Sequence, residues 1–260
     1  MVARVGDDLF GPATIENLEN QGVRAGKVKI VKGVGSGVAP IFVDPSGQNR
    51  ILVVKGANDS LTPEAVEKAA PLLKRADLVV LQLEIPLETV YFTIRFARKN
   101  RIRVLLNPAP AAPMSLEQLS GVTYLIPNET EAEAISLKSV TTIDDALESA
   151  RELVARGFPR VVLTLGERGA ILASATSAKH LPAFPVEAVD TTGAGDAFIG
   201  SFAAFLGEGI PEEEAVERAN LYAALSTTSV GTQKSFAARK RFEEEWKSRS
   251  RSVDTARPRS

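Results

Sequence analysis

Beyond about residue 62 the spacing of apolar and polar positions switches repeatedly between helical and strand periods. Residues 63–75 have the pattern of an amphipathic helix, with Thr62 placed to cap it. Residues 78–83 form a short apolar run of the kind seen in strands buried on both faces. Helices are predicted over 87–100, 129–137 and 143–156, and strands over 104–106, 124–126 and 161–165. This order predicts a doubly wound, mostly parallel α/β sheet flanked by helices, with ligands binding outside the carboxyl ends of the strands.

The first sixty or so residues follow a different pattern. Residues 28–32, 37–43 and 49–54 alternate or run apolar with β-branched side chains, and Pro45-Ser46-Gly47 supplies a hairpin turn. A small antiparallel lid over residues 28–55 is predicted, and its exposed edge would invite a second subunit, hence a homodimer. The glycine-rich run from Lys32 to Gly37 fits a flexible lid turn at least as well as a phosphate cradle.

Polar residues cluster where the predicted strands end: Gln82 and Glu84, Asn107, Asn128 and Glu131, and residues 164–169. The most informative run is Asp190-Thr191-Thr192-Gly193-Ala194-Gly195-Asp196, between a strand predicted over 184–189 and an apolar helix over 197–206. A helix start offers unpaired N–H groups and a positive dipole end, and small residues let a ligand approach the backbone. A plain tight turn capped by Asp196 is the competing reading. The buried character of the following helix, together with two glycines, favours an anion site with Asp196 at a pocket floor. Neither a P-loop nor a Rossmann fingerprint is present.

Composition narrows the chemistry. A chain of 260 residues with 44% apolar and 24% charged content can bury a full core. A net charge of −1 and the lack of a basic, aromatic-laced cluster give no reason to expect nucleic acid or an acidic membrane as partner. Without cysteine there is no disulfide or thiolate chemistry. His180, the single histidine, is expected in a surface loop. No apolar stretch is long enough for a membrane span and no signal-peptide pattern opens the chain, so a cytoplasmic protein is expected. Residues 247–260, rich in arginine and serine, are expected as a disordered tail.

Taken together, the motifs resemble the ribokinase family of sugar kinases, also called the phosphofructokinase-B type. Asp190 to Asp196 is similar to the family's C-terminal signature, Asn128-Glu129-Thr130-Glu131 to its Asn-x-x-Glu motif, and Thr164-Leu165-Gly166-Glu167-Arg168-Gly169 to its nucleotide loop. Asn107-Pro108-Ala109-Pro110 and Gln82-Leu83-Glu84 strengthen the likeness, which runs from about Gly6 to Phe236 and implies one kinase domain over residues 1–246.

The resemblance implies transfer of the γ-phosphate of ATP to a sugar, D-ribose at its 5-hydroxyl first of all, with another sugar or a nucleoside as alternative. Asp196 would be the base and, with Glu84, would bind the sugar. Gly193, Ala194 and Gly195 would form the anion hole. Asn128, Thr164, Leu165, Gly166, Glu167, Arg168, Gly169, Gly195, Asp196 and Asn220 would hold the nucleotide. Glu131 would organise Mg2+ through water. Asp190, Thr192, Ser226, Ser229, Gly231 and Ser235 would surround K+.

Members of the family begin roughly sixty residues earlier, a span near a small domain in size. That segment carries a first strand, a sugar-binding aspartate and a Gly-Gly-Lys-Gly motif. The match of Val5-Gly6-Asp7-Asp8 to a point beyond it predicts a coding start upstream of Met1 or a truncated gene. A remnant that binds nucleotide and transfers nothing is the alternative that this departure implies.

Overall fold

Val161, Val162 and Leu163 follow one another along a strand, and all three are fully buried. Successive strand side chains point to opposite faces, so both faces are covered there, as the apolar run predicts. The structure, a computed structural model, describes residues 1–43 and 49–256. The Pro45-Ser46-Gly47 turn therefore lies outside the described residues. The chain divides into two compact units, Met1–Val104 with Pro108–Gly121, and Leu105–Asn107 with the chain from Val122 onward.

In the first unit β1 (Val2–Gly6) leads through α1 (Phe10–Asn20) to β2 (Lys27–Val31), which pairs with β1 in parallel. This corrects the expectation that residues 28–32 join the antiparallel lid. Alternation identifies a strand but not its partner, and the intervening helix allows a parallel return. Val5, Ala25 and Val28 form a small core there with Ala3, Ile15 and Leu18 packed on it. The antiparallel pair is β3 (Ile41–Val43) with β4 (Asn49–Ile51), joined by a bridge between Val38 and Val54.

The helix predicted over 63–75 is two short helices, α2 (Pro63–Glu67) and α3 (Ala70–Leu73). Pro71 is the reason, since it has no N–H to donate to the Glu67 carbonyl. Next come β5 (Leu78–Leu81), whose Val80 is exposed rather than covered, and α4 (Leu87–Lys99). Helix α4 buries Thr89, Val90, Thr93, Ile94 and Ala97, one stripe at helical spacing. Strand β6 (Arg103–Leu106) adjoins β5 and ends in the second unit.

The second unit continues with β7 (Tyr124–Leu125), α5 (Glu129–Ser136), α6 (Ile143–Ala155), β8 (Arg160–Thr164), β9 (Ala170–Ser174) and β10 (Ala178–Leu181). Helices α7 (Ala194–Gly207), α8 (Glu212–Ser226) and α9 (Arg239–Ala256) complete it. Its strand order is β10-β9-β8-β7-β6. The pairs β6–β7 and β7–β8 are parallel, whereas β8–β9 and β9–β10 are antiparallel. Helix α6 packs on β8, β9 and β10, and α8 lies against β9.

Three local expectations are corrected in this unit. Residues 184–189 form no strand; Pro185 lacks a donor, and the N–H groups of Val189 and Asp190 both bond to the Thr227 carbonyl. His180 is a half-buried strand residue of β10, not a loop residue. Helix α9 extends to Ala256, across residues read from composition as a tail; Arg239–Glu243 and Glu245–Arg249 pairs lie one turn apart along it. Trp246 fixes this helix, with its ring edge-on to Phe184 and the Arg218 guanidinium 4.8 Å above it. Among the described residues no helix is long and apolar enough to cross a membrane.

Candidate active site

The start of α7 is built by a glycine in a conformation other residues avoid. Gly193 is the N-cap with φ +81°, and a Cβ there would press on Thr232 at 3.1 Å. Gly195 is different, because a Cβ added to it meets nothing within 4 Å. Protein packing therefore does not demand a glycine at 195, and the space above its backbone is open to a ligand. The N–H groups of Gly195 and Asp196, in the first turn, have no acceptor within the helix. Ala194 is already engaged, donating to the Thr191 carbonyl at 3.2 Å.

Asp196 stands on this first turn, after an N-cap glycine that has no side chain to cap the helix. The residue is exposed rather than sunk in a pocket floor, yet the protein crowded around its carboxyl raises its pKa above the usual aspartate range. It borders an open cavity of ≈280 Å³ whose other walls include Gly200, Ala204, Tyr222, Phe236 and Phe242. Gly200 and Ala204 are exposed there, so α7 is not covered on every side.

Asp190 ties the loop before α7 to the chain after α8. One carboxylate oxygen accepts from the Thr192 N–H and the other from the Gly231 N–H, both at 2.9 Å. These bonds hold its pKa below the usual range. Ser226 and Ser235 are buried hydroxyls that donate to the Ala223 and Thr232 carbonyls, while Ser229 is exposed. Of the six residues predicted around K+, direct hydrogen bonds thus join Asp190 to Thr192 and Gly231.

Three adjacent strand ends converge on Glu131. Asn128, after β7, caps α5; its side chain accepts from the Glu131 N–H at 2.8 Å, and Glu131 Oε2 accepts from the Asn128 N–H at 3.0 Å. Asn128 Nδ2 donates to Glu131 Oε1 at 3.1 Å. Asn107, after β6, donates through Nδ2 to the Ile126 carbonyl at 2.9 Å and to Glu131 Oε2 at 3.2 Å. Thr164, at the end of β8, forms a parallel bridge with Asn128. Glu131 is buried, and this desolvation raises its pKa against the lowering by its amide donors. Sequence reasoning noticed Asn107 but gave it no role; its spacing from Glu131 carries no signal because they meet only through strand order.

The loop over 164–169 is a tight turn closed by Leu165 N–H on the Gly169 carbonyl at 2.7 Å, with positive φ at Gly166 and Gly169. Asn220, expected beside the adenine, is buried and donates to the Leu181 and Pro182 carbonyls at 3.0 and 3.3 Å. It holds the backbone that lies over Gly169. Glu84 is an exposed residue just past β5 in the first unit.

A glycine-capped helix start with open space above it, a carboxylate on its first turn and a buried, amide-clamped carboxylate at a strand end are suited to phosphoryl transfer to an alcohol. The chain belongs to the pfkB family of carbohydrate kinases, whose family model matches residues 1–239. It is 45% identical to the deoxyribokinase of Salmonella typhi over 245 residues, which are 94% of this chain and 80% of that protein. It is 40% identical to the ribokinase of Bacillus subtilis over the same shares of the two chains. The structure of Arabidopsis thaliana ribokinase complexed with ribose and ATP matches with a TM-score of 0.87 at 28% identity, covering 94% of this chain and 80% of that one. The fold is accordingly the ribokinase-like α/β fold, and the chain is a phosphotransferase of the alcohol-acceptor class.

Proposed function

We propose that this kinase transfers the γ-phosphate of ATP to the 5-hydroxyl of a pentose. Asp196 takes the hydroxyl proton as the new O–P bond forms, and the β–γ bridging bond breaks with its electron pair leaving on ADP. The open backbone at Gly195 is the observation that carries this reading, since anion-hole donors act only where a ligand can reach them. Gly193, Gly195 and the Asp196 N–H receive the phosphate charge, with Ala194 free to join only if its bond to Thr191 yields. The loop over Thr164, Leu165, Gly166, Glu167 and Gly169 borders the nucleotide.

Glu131 suits Mg2+ held through water: it is a buried carboxylate clamped by amides, and Oε1, with one amide donor against two on Oε2, keeps acceptor capacity for a water. Bound there, the ion would neutralise charge on the ATP phosphates. Asp190, Thr192, Ser226, Ser229, Gly231 and Ser235 would supply K+ with an all-oxygen donor set carrying one formal charge. A homodimer through the antiparallel β lid fits the exposed Val38, Leu52, Val53 and Val54 beside the β3–β4 pair. A cytoplasmic location belongs to the same reading, because the reaction consumes ATP.

D-ribose is the first substrate to test, and the 45% identity to a deoxyribokinase makes 2-deoxyribose the second. ADP release from the purified chain with ATP, magnesium and potassium should rise on adding one of these sugars. No ADP above a sugar-free blank, with ATP still bound, sinks the pentose reading for this chain and leaves another sugar, a nucleoside or the nucleotide-binding remnant. A further expectation concerns pH. Asp196 must be ionised to accept a proton, and partial desolvation of its carboxyl by the surrounding protein raises its pKa, so kcat/KM should fall on acidification at a higher pH than an ordinary aspartate would give. A profile flat down to the normal aspartate range excludes Asp196 as the titrating base.

A further inference from the structure

Within the second unit, the loop over 164–169 is held from outside by one of its own side chains. Arg168 Nη1 donates to the Thr141 carbonyl at 2.6 Å, and Nη2 donates to Glu129 Oε1 at 3.1 Å. Glu129 is the first residue of α5, directly after Asn128, and Thr141 lies in the connection between α5 and α6. The Arg168 carbonyl in turn accepts from His180 Nε2 of β10 at 2.6 Å. One residue thus joins the loop to α5, to the chain after α5, and to β10. A guanidinium committed in two directions has a fixed fork and little freedom to swing toward a phosphate.

We propose that Arg168 is a positioning residue: it straps the nucleotide loop to the start of α5, and nucleotide affinity depends on that strap. The resemblance alone assigned Arg168 to the nucleotide itself, whereas its hydrogen bonds run to the protein. The Arg168–Glu129 pair is about one-third exposed on each side, where ion pairs add little to folding stability. Its effect is therefore expected in loop geometry. This inference rests on the reading of residues 164–169 as nucleotide-binding.

The test is a double-mutant cycle read as affinity for the non-hydrolysable analogue AMP-PNP with magnesium, measured by calorimetry on the full chain. Arg168→Ala should weaken binding by about fivefold, and Glu129→Gln should weaken it in the same direction, both with an unchanged thermal midpoint. The double variant should bind no more weakly than Arg168→Ala alone. Arg168→Lys, which keeps the charge and loses the fork, should resemble the alanine variant. Full recovery in Arg168→Lys means that the charge acts on the phosphates and overturns the strap. Wild-type affinity in Arg168→Ala overturns it as well. If the unaltered chain binds no AMP-PNP, the nucleotide reading fails first and the strap with it.

Discussion

Replacement of Asp196 by asparagine is expected to lower kcat by roughly two to four orders of magnitude, the usual range for a lost general base. ATP affinity should be kept or rise, since the amide keeps the shape and removes one negative charge near an anion. The fold should be untouched: the residue is exposed, and no hydrogen bond contributes to its shifted pKa. Steady-state kinetics with parallel calorimetry of ATP binding separates these effects. A kcat within tenfold of the unaltered chain removes Asp196 as base, and a collapse of ATP binding reassigns it to the nucleotide.

Gly169→Val should be the most damaging single change to the second unit. Gly169 has φ +94° and ψ −135°, a region that residues with a side chain scarcely enter. A Cβ would also stand 2.2 Å from the Leu181 carbonyl oxygen and 2.6 Å from the Ala183 nitrogen, both of them backbone atoms. Strain and clash together are expected to cost about 4 kcal/mol or more, at the severe end for one substitution. Urea unfolding measures the loss. Because Asn220 holds the same Leu181 and Pro182 carbonyls in place, the clash cannot be relieved by letting that segment drift. An unfolding midpoint close to that of the unaltered chain would show that the segment over Gly169 yields after all.

The parallel strands were legible because burial on both faces writes an uninterrupted apolar run, as at Val161 to Leu163. Strand direction was not. Residues 28–32 have the same pattern whether paired forward or back, and only the helix between Phe10 and Asn20 makes the parallel return to β1 feasible. Strands β9 and β10 escaped notice because alanine, serine, lysine and histidine dilute the apolar signal. Pro71 stands inside a run of helical periodicity, and its missing N–H breaks the helix that the period alone predicts.

At the site, the Asn-x-x-Glu spacing was readable since a capping box is local, three residues apart on one helix turn. The same locality made Gly193 and Asp196 stand out. Asn107 reaches Glu131 across a gap of 24 positions, and Arg168 reaches Glu129 across 39. Contacts of that range depend on which strands lie side by side, and no single-sequence period encodes it.

The clasp of Trp246 between Phe184 and Arg218 has a practical consequence. This is the chain's single tryptophan, so its fluorescence comes from one corner of the second unit, where α9 meets the segment after β10. An emission change during unfolding marks the release of that helix. It is blind to the glycine-capped turn, and loss of phosphate binding must be followed with a signal carried by the nucleotide.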